Sequence, residues 1–147
     1  MIPSIRNSLS GVKAGARALG ASASNVANAR NTAALDKVAI VGVSASRATG
    51  GYDEAPHDPL YEPLRAETAA AEEGGVQTRL RRVEPPHIEA FEPGDPNADE
   101  HGRVARTNVD LAEEIVRSRQ ARTLYDANLK ALRAEDEMLG ALLDDRA

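Results

Sequence analysis

The chain has 147 residues and a formal charge of −5, room for one ordinary domain or for a small module flanked by long helices. Alanine supplies 27 of its hydrophobic residues, with one Phe, three Tyr and no Trp, so a self-sufficient globular core would be thin and extended helical packing or burial against other chains is favoured. The absence of cysteine excludes disulfides and thiolate metal sites, no apolar run reaches the length of a membrane span, and the amino terminus lacks the uninterrupted apolar core of a cleaved secretory signal.

Pro3 suits the first turn of a helix, read here over about residues 4–30 and ending in the polar cluster Asn28, Arg30, Asn31 and Thr32. Within it Ile2, Ile5, Leu9, Val12, Ala16, Leu19, Ala23 and Val26 recur at steps of three and four, the seam a helix presents to a partner helix. The next face round carries Ser8, Gly11, Gly15, Ala18 and Ser22, almost all small. Gly11, Gly15 and Gly20 each cost about 1 kcal/mol relative to alanine, so this helix needs support from elsewhere.

Lys37 to Ala45 (KVAIVGVSA) is β-branched and bounded by RATGG, which predicts a strand. Residues 47–75 read as loop, with LRAETAAAE inside them open to either a short helix or a strand. VQTRLRRVE (76–84) alternates as a strand, Pro85-Pro86 stop it, His87 to Phe91 resume extended chain, and EPGDPNADEHG (92–102) is a turn-rich loop.

From Asn108 the pattern is helical to about Leu143, with Asn108 or Asp110 as N-cap. Its seam runs through Leu111, Ile115, Ser118, Arg122, Tyr125, Leu129, Leu132, Asp136, Leu139 and Leu143, while Val116, Leu124, Met138 and Leu142 lie alongside. Polar residues in such a seam fix register at some cost in stability and suit a helix with several partners. The expected fold is therefore mainly α with a small β-rich middle. Its long amino- and carboxyl-terminal helices (1–32 and 108–147) pack as an assembly-dependent, coiled-coil-like pair around a middle of 33–107.

Charge supports the pairing. Residues 1–35 carry Arg6, Lys13, Arg17 and Arg30 without an acid, whereas residues 108–147 carry nine acids against six bases. Arg17 or Arg30 is expected to pair with acids of the second helix, its own or a neighbour's. Four spaced bases without interleaved aromatics make a weak nucleic-acid footprint.

Specific chemistry finds little footing. KVAIVGVSASRATGG lacks the G-x-G-x-x-G that opens a dinucleotide-binding helix. Asp95, Asn97 and Asp99 alternate like the start of a calcium loop, but Glu100 and Arg106 stand where that loop needs Gly and a bidentate Glu. His57, His87 and His101 are scattered among probable loops, and no nucleophile elbow, zinc-protease motif or P-loop is present. No catalytic, cofactor or metal site is assigned.

The two ends together resemble the bacterial flagellar rod, hook and related axial proteins. SLSGVKAGARALGASASNVANARNT (8–32) is similar to their amino-terminal signature, a small-residue helix running into A-N-N-I-A-N-x-x-T, through Ser10, Gly11, Ala23, Asn25, Val26, Ala27, Asn28 and Thr32, with Ser24 in place of the first Asn. NVDLAEEIVRSRQARTLYDANLKALRAEDEMLGALL (108–143) resembles the carboxyl-terminal signature through Asn108, Val109, Asp110, Glu114, Arg122, Tyr125, Ala127, Asn128, Met138 and Leu139. The proline- and acid-rich stretch leading into it looks like the proximal rod branch. Ala33, Ala34 and Leu35 depart from the glycine and aromatic usual after the first signature, and Ser118 and Arg119 fall where apolar residues are usual.

The resemblance implies a non-catalytic structural subunit of the basal-body proximal rod, self-assembling through its terminal helices to transmit torque. It would be exported unfolded, without a cleaved signal, through the flagellar type III export apparatus into the periplasm-spanning rod. Implied partners are copies of itself and other axial proteins, with no cofactor, nucleic acid or membrane span. The expected assembly seam is Ile5, Leu9, Val12, Leu19, Val26, Leu111, Ile115, Tyr125, Leu129, Leu132 and Leu139, and Asn25, Asn28, Asn108 and Asn128 are expected to set helix register. On this reading the leucine seams bury against the chain's own partner helix, the small face admits neighbouring subunits, and the first helix is disordered before assembly. The alternative is a soluble helical adaptor or export-linked interaction protein derived from the same family.

Overall fold

The computed structural model describes residues 3–38 and 60–144. Two long helices occupy the ends, α1 (Pro3–Ala27) and α2 (Leu111–Asp144), with a small antiparallel β middle between them. This agrees with the sequence pattern. The helix α1 stops where Asn28 donates its side-chain amide to the carbonyl of Ser24 at 2.8 Å, satisfying one of the acceptors a helix end leaves open. At the start of α2, Glu113 and Glu114 sit in the first turn, where backbone N–H groups favour negative charge. Of the two N-cap candidates, Asn108 is engaged elsewhere, its side chain donating to the Pro85 carbonyl at 2.8 Å, and Asp110 immediately precedes the helix.

The strands are β1 (Thr32–Ala33), β2 (Leu64–Ala70), β3 (Val76–Arg82), β4 (His87–Phe91) and β5 (Arg103–Thr107). The predicted strand 37–45 falls largely outside the described residues, as do Ile2, residues 47–59 with His57, and the last three residues. Where it can be followed, Leu35–Lys37 form a turn of 3-10 helix. LRAETAAAE resolves as a strand, because its residues pair with β3.

The chain divides into two compact units, each discontinuous in sequence. One gathers residues up to Ala23, Arg65–Arg81 and residues from Ala112 onward; the other holds Ser24–Leu64 and Arg82–Leu111.

In the second unit the strand order is β1-β5-β4, antiparallel throughout, with Thr32 opposite Arg106 and Ile88 opposite Arg106 on the other side. Its core is small. Val104 and Ala105 are fully buried and Thr107 nearly so, together with Leu60, Ala29 and His87. The single Phe, Phe91, is 73% exposed, so the aromatic that might have anchored a core does not. Strand β5 was not foreseen, since RVART sits between a turn and a helix and its burial does not alternate.

The loop from β4 to β5 is held by side-chain-to-backbone bonds. Asp95 accepts the Asn97 N–H at 2.7 Å and the Thr32 hydroxyl at 2.8 Å; Asp99 accepts the N–H groups of His101 and Arg103 and a salt bridge from Arg103. Both carboxyls are held below the ordinary aspartate value, Asp95 chiefly by the Asn97 N–H and Asp99 chiefly by the Arg103 N–H. Gly102 closes the turn at φ +74, a conformation side chains rarely adopt, beside Phe91 and Pro93.

Candidate functional site

In the first unit α1 is covered on two of its three sides. Along one side lies the β2–β3 hairpin, which turns back through Gly74 and Gly75, both at positive φ. Here Ser10 accepts the Val76 N–H at 3.0 Å, Arg17 donates to the Thr78 carbonyl at 2.7 Å, and Arg6 reaches the carboxylate of Glu73 at 3.6 Å. These contacts occupy backbone groups that an edge strand would otherwise leave open.

Along the second side lies α2, running antiparallel. Ser8 donates to Glu135 at 3.3 Å, Gly11 lies against Asn128, Gly15 against Tyr125, and Ser22 donates to the carbonyl of Glu114 at 2.8 Å. A Cβ added at Gly15 would sit 2.9 Å from the backbone nitrogen of Tyr125, so the two helix backbones nearly touch. The residues of α1 that are buried are accordingly small or polar: Ser8, Ala14, Ala21, Ser22 and Asn25.

This reverses the expected use of the two faces. The small face, not the leucine seam, meets the chain's own second helix, because only residues without bulk let the backbones approach so closely. The seam is left on the third side. Ile5, Leu9 and Val12 are half-buried, Leu19 is 36% exposed and Val26 42% exposed. On α2, Leu111 and Ile115 are exposed, while Tyr125, Leu129, Leu132 and Leu139 are half-buried.

The four asparagines occupy distinct places. Asn25 is nearly fully buried, where it donates to the Leu64 carbonyl at 2.8 Å and accepts the Leu64 N–H at 3.0 Å and the Tyr61 hydroxyl at 2.8 Å. Asn28 caps its own helix, Asn108 holds Pro85, and Asn128 donates to the Leu124 carbonyl at 2.8 Å. The sequence predicts pairing of Arg17 or Arg30 with an acid of the second helix, the chain's own or a neighbour's; within the chain Arg17 donates to the Thr78 carbonyl, and Arg65 reaches Glu113 at 3.6 Å.

One surface escaped the sequence reading as a unit. Val116, Leu124, Ala127, Ala131, Met138 and Leu142 form an exposed stripe on α2, and the residues between them on that line, Gln120 and Ala134, are also uncharged. Its signal was the unbroken absence of charge at steps of three and four, which a search for large apolar residues passes over.

Residues 100–145, the end of the loop through β5 and α2, match the family model described as the flagellar basal body rod FlgEFG protein C-terminal. The chain is 33% identical over 57 residues to the flagellar basal-body rod protein FlgC of Agrobacterium fabrum, covering 39% of this chain and 41% of that protein. It is 34% identical over 67 residues to the protein of the same name from Salmonella typhimurium, covering 45% of this chain and 50% of that one. This chain is similar to the flagellar basal-body rod proteins. The matches span half or less of the length of these relatives. The resemblance read from the two terminal signatures thus meets a family match over the carboxyl-terminal one. Among the described residues no helix is long and apolar enough to cross a membrane.

Proposed function

We propose that this chain is a structural subunit of the proximal rod of the bacterial flagellar basal body. It assembles with copies of itself and other axial proteins through its terminal helices and passes torque along the packed helices without catalysing a reaction. It reaches the periplasm-spanning rod through the flagellar export apparatus. In the assembly the seam from Ile5 to Leu139 is covered by neighbours, and Asn25, Asn28, Asn108 and Asn128 hold the terminal segments in register.

The observation that carries this reading is the seam side of α1, which the described residues leave partly exposed. A helix that places glycine, alanine and serine against its own chain, leaves Leu19 and Val26 exposed and only half-buries Ile5, Leu9 and Val12 has hydrophobic burial still to complete. Completing the burial of Leu19 and Val26 would contribute roughly 1 kcal/mol each, and the gain repeats with each neighbour. The similarity of α2 and the strand before it to the rod-protein family supports the basal-body rod as that assembly.

The test is mass spectrometry of detergent-resistant basal bodies purified from the native host. The chain is expected there in several copies. Its absence from them, with the protein found soluble and helical, would overturn the rod reading in favour of an adaptor.

A further inference from the structure

The two outward surfaces of the helices differ in kind. The α1 seam is bulky along its length, and the α2 stripe narrows to Ala127, Ala131 and Ala134 in its middle, with Val116, Gln120 and Leu124 before them and Met138 and Leu142 after. At 3.6 residues per turn the stripe lies roughly a third of a turn from the α2 residues that meet α1, such as Glu114, Ala121 and Asn128, so among the described residues the packing of α2 on α1 leaves the stripe exposed. We infer that the α1 seam of one copy packs onto the α2 stripe of the next copy. This rests on the rod reading and adds which face meets which.

Three features favour this pairing over seam against seam. The first is size. Leucine and valine side chains fit between alanines on a facing helix, whereas two bulky seams hold their backbones apart and two alanine stripes bury little.

The second is charge. Helix α1 carries Arg6, Lys13 and Arg17 with no acid, and α2 carries seven acids against five bases. Arg6 and Arg17 are held on the hairpin side, so the effect is one of net charge: two joined seams would pair two helices of net charge +3, whereas seam and stripe pair +3 with −2.

The third is extent. The seam from Ile5 to Val26 is about 32 Å long and the stripe from Val116 to Leu142 about 39 Å, at 1.5 Å per residue. A strip that long and about 10 Å wide offers roughly 300 Å² per partner, well under the ~800 Å² per partner of a stable complex. One such contact does not hold a dimer. Because seam and stripe are different surfaces of one chain, however, the contact is heterologous and propagates, and each copy makes it twice.

The chain has no cysteine, so introduced thiols report cleanly. Leu19→Cys and Ala131→Cys variants, each with its own epitope tag, replace the wild-type gene singly or together, and isolated basal bodies are oxidised. Val12→Cys with Ala131→Cys serves as a second pair, for a register shifted by about two turns. A disulfide-linked dimer carrying both tags is expected only when both members of a pair are present. Linkage of Leu19→Cys to itself, linkage to a different protein, or no mixed dimer from either pair in basal bodies containing both would overturn the face assignment while leaving the rod reading intact. If the wild-type chain is absent from basal bodies, the rod reading fails and the face assignment falls with it.

Discussion

Replacing Gly15 with alanine should destabilise the chain, and the same change at Gly20 should stabilise it. Both substitutions remove the conformational freedom of glycine from the interior of α1, and each gains about 1 kcal/mol of helix propensity. At Gly20 nothing lies within 4 Å of the added methyl, so that gain stands. At Gly15 the methyl would lie 2.9 Å from the Cβ and backbone nitrogen of Tyr125 and 3.0 Å from its Cα. These atoms belong to a helix backbone and cannot rotate aside, so the helices must separate, as in an overpacked core at a cost of about 1–3 kcal/mol. Separation would also lengthen the bond from Ser22 to the Glu114 carbonyl. Since the propensity gain is common to both variants, they should differ by about 1–3 kcal/mol, or roughly 2–10 °C in Tm for a chain of this size. Gly11→Ala should fall between them, because the group it meets is the movable end of the Asn128 side chain. Urea and thermal unfolding followed by far-UV circular dichroism measure all three. If Gly15→Ala is as stable as Gly20→Ala, the helices do not pack through this face and the sector assignment fails.

Asn25→Leu should cost about 2–4 kcal/mol in chemical denaturation, because it leaves both the N–H and the carbonyl of Leu64 without their partner. An unchanged midpoint would show that water replaces the amide freely. Leu19→Asp should change monomer stability by only about 1 kcal/mol, since the side chain is already partly exposed, yet eliminate incorporation into basal bodies. Equal incorporation of mutant and wild type would remove Leu19 from the assembly surface. The depressed values of Asp95 and Asp99 mean that their contribution to the β4–β5 loop is complete above the unfolded aspartate value of 3.8 and is lost as pH falls through the lower folded values. Asp99→Asn should flatten that acid limb in hydrogen exchange of the Arg103 amide, and a limb as steep as in the wild type would place its origin elsewhere.

The helices were legible because their signals are local. Pro3 at a first turn, seams at steps of three and four, and the Asn-rich stop after α1 all act within a few residues. What the seam packs against was not legible, since periodicity shows that apolar residues share a side and says nothing about which chain covers it. The interior stripe of α2, Glu114, Ser118, Ala121, Tyr125, Asn128, Leu132, Glu135 and Leu139, shares only Ser118, Tyr125, Leu132 and Leu139 with the expected seam. It keeps the helical period but sets Glu114, Asn128 and Glu135 among Tyr125, Leu132 and Leu139, because the facing surface of α1 includes serine and glycine as partners for polar groups. LRAETAAAE was ambiguous for a related reason: alanine and glutamate favour helix, and the strand exists through its pairing with β3 and the grip of Asn25 on Leu64. Strand β5 is fixed by its neighbours, β4 across the loop 92–102 and β1 about seventy residues back.

Gly20 carries the argument from the monomer to the assembly. Gly11 and Gly15 have an evident reason within the chain, since a side chain at either would strike α2. Gly20 has none. It is exposed, its surroundings are open, and alanine there would stabilise the isolated helix by about 1 kcal/mol. At 100° per residue it lies at the edge of the seam, beside Ala16 and Ala23 and 100° from Leu19, where the flank of a neighbouring helix seated on that seam would pass. If its bareness serves the contact between copies, Gly20→Ala should raise the Tm of the purified chain, and a bulkier Gly20→Leu should lower incorporation into basal bodies without lowering monomer stability below that of wild type. Normal incorporation of Gly20→Leu would mean that the neighbour's backbone does not approach this edge, and would restrict the contact to the line through Val12 and Leu19.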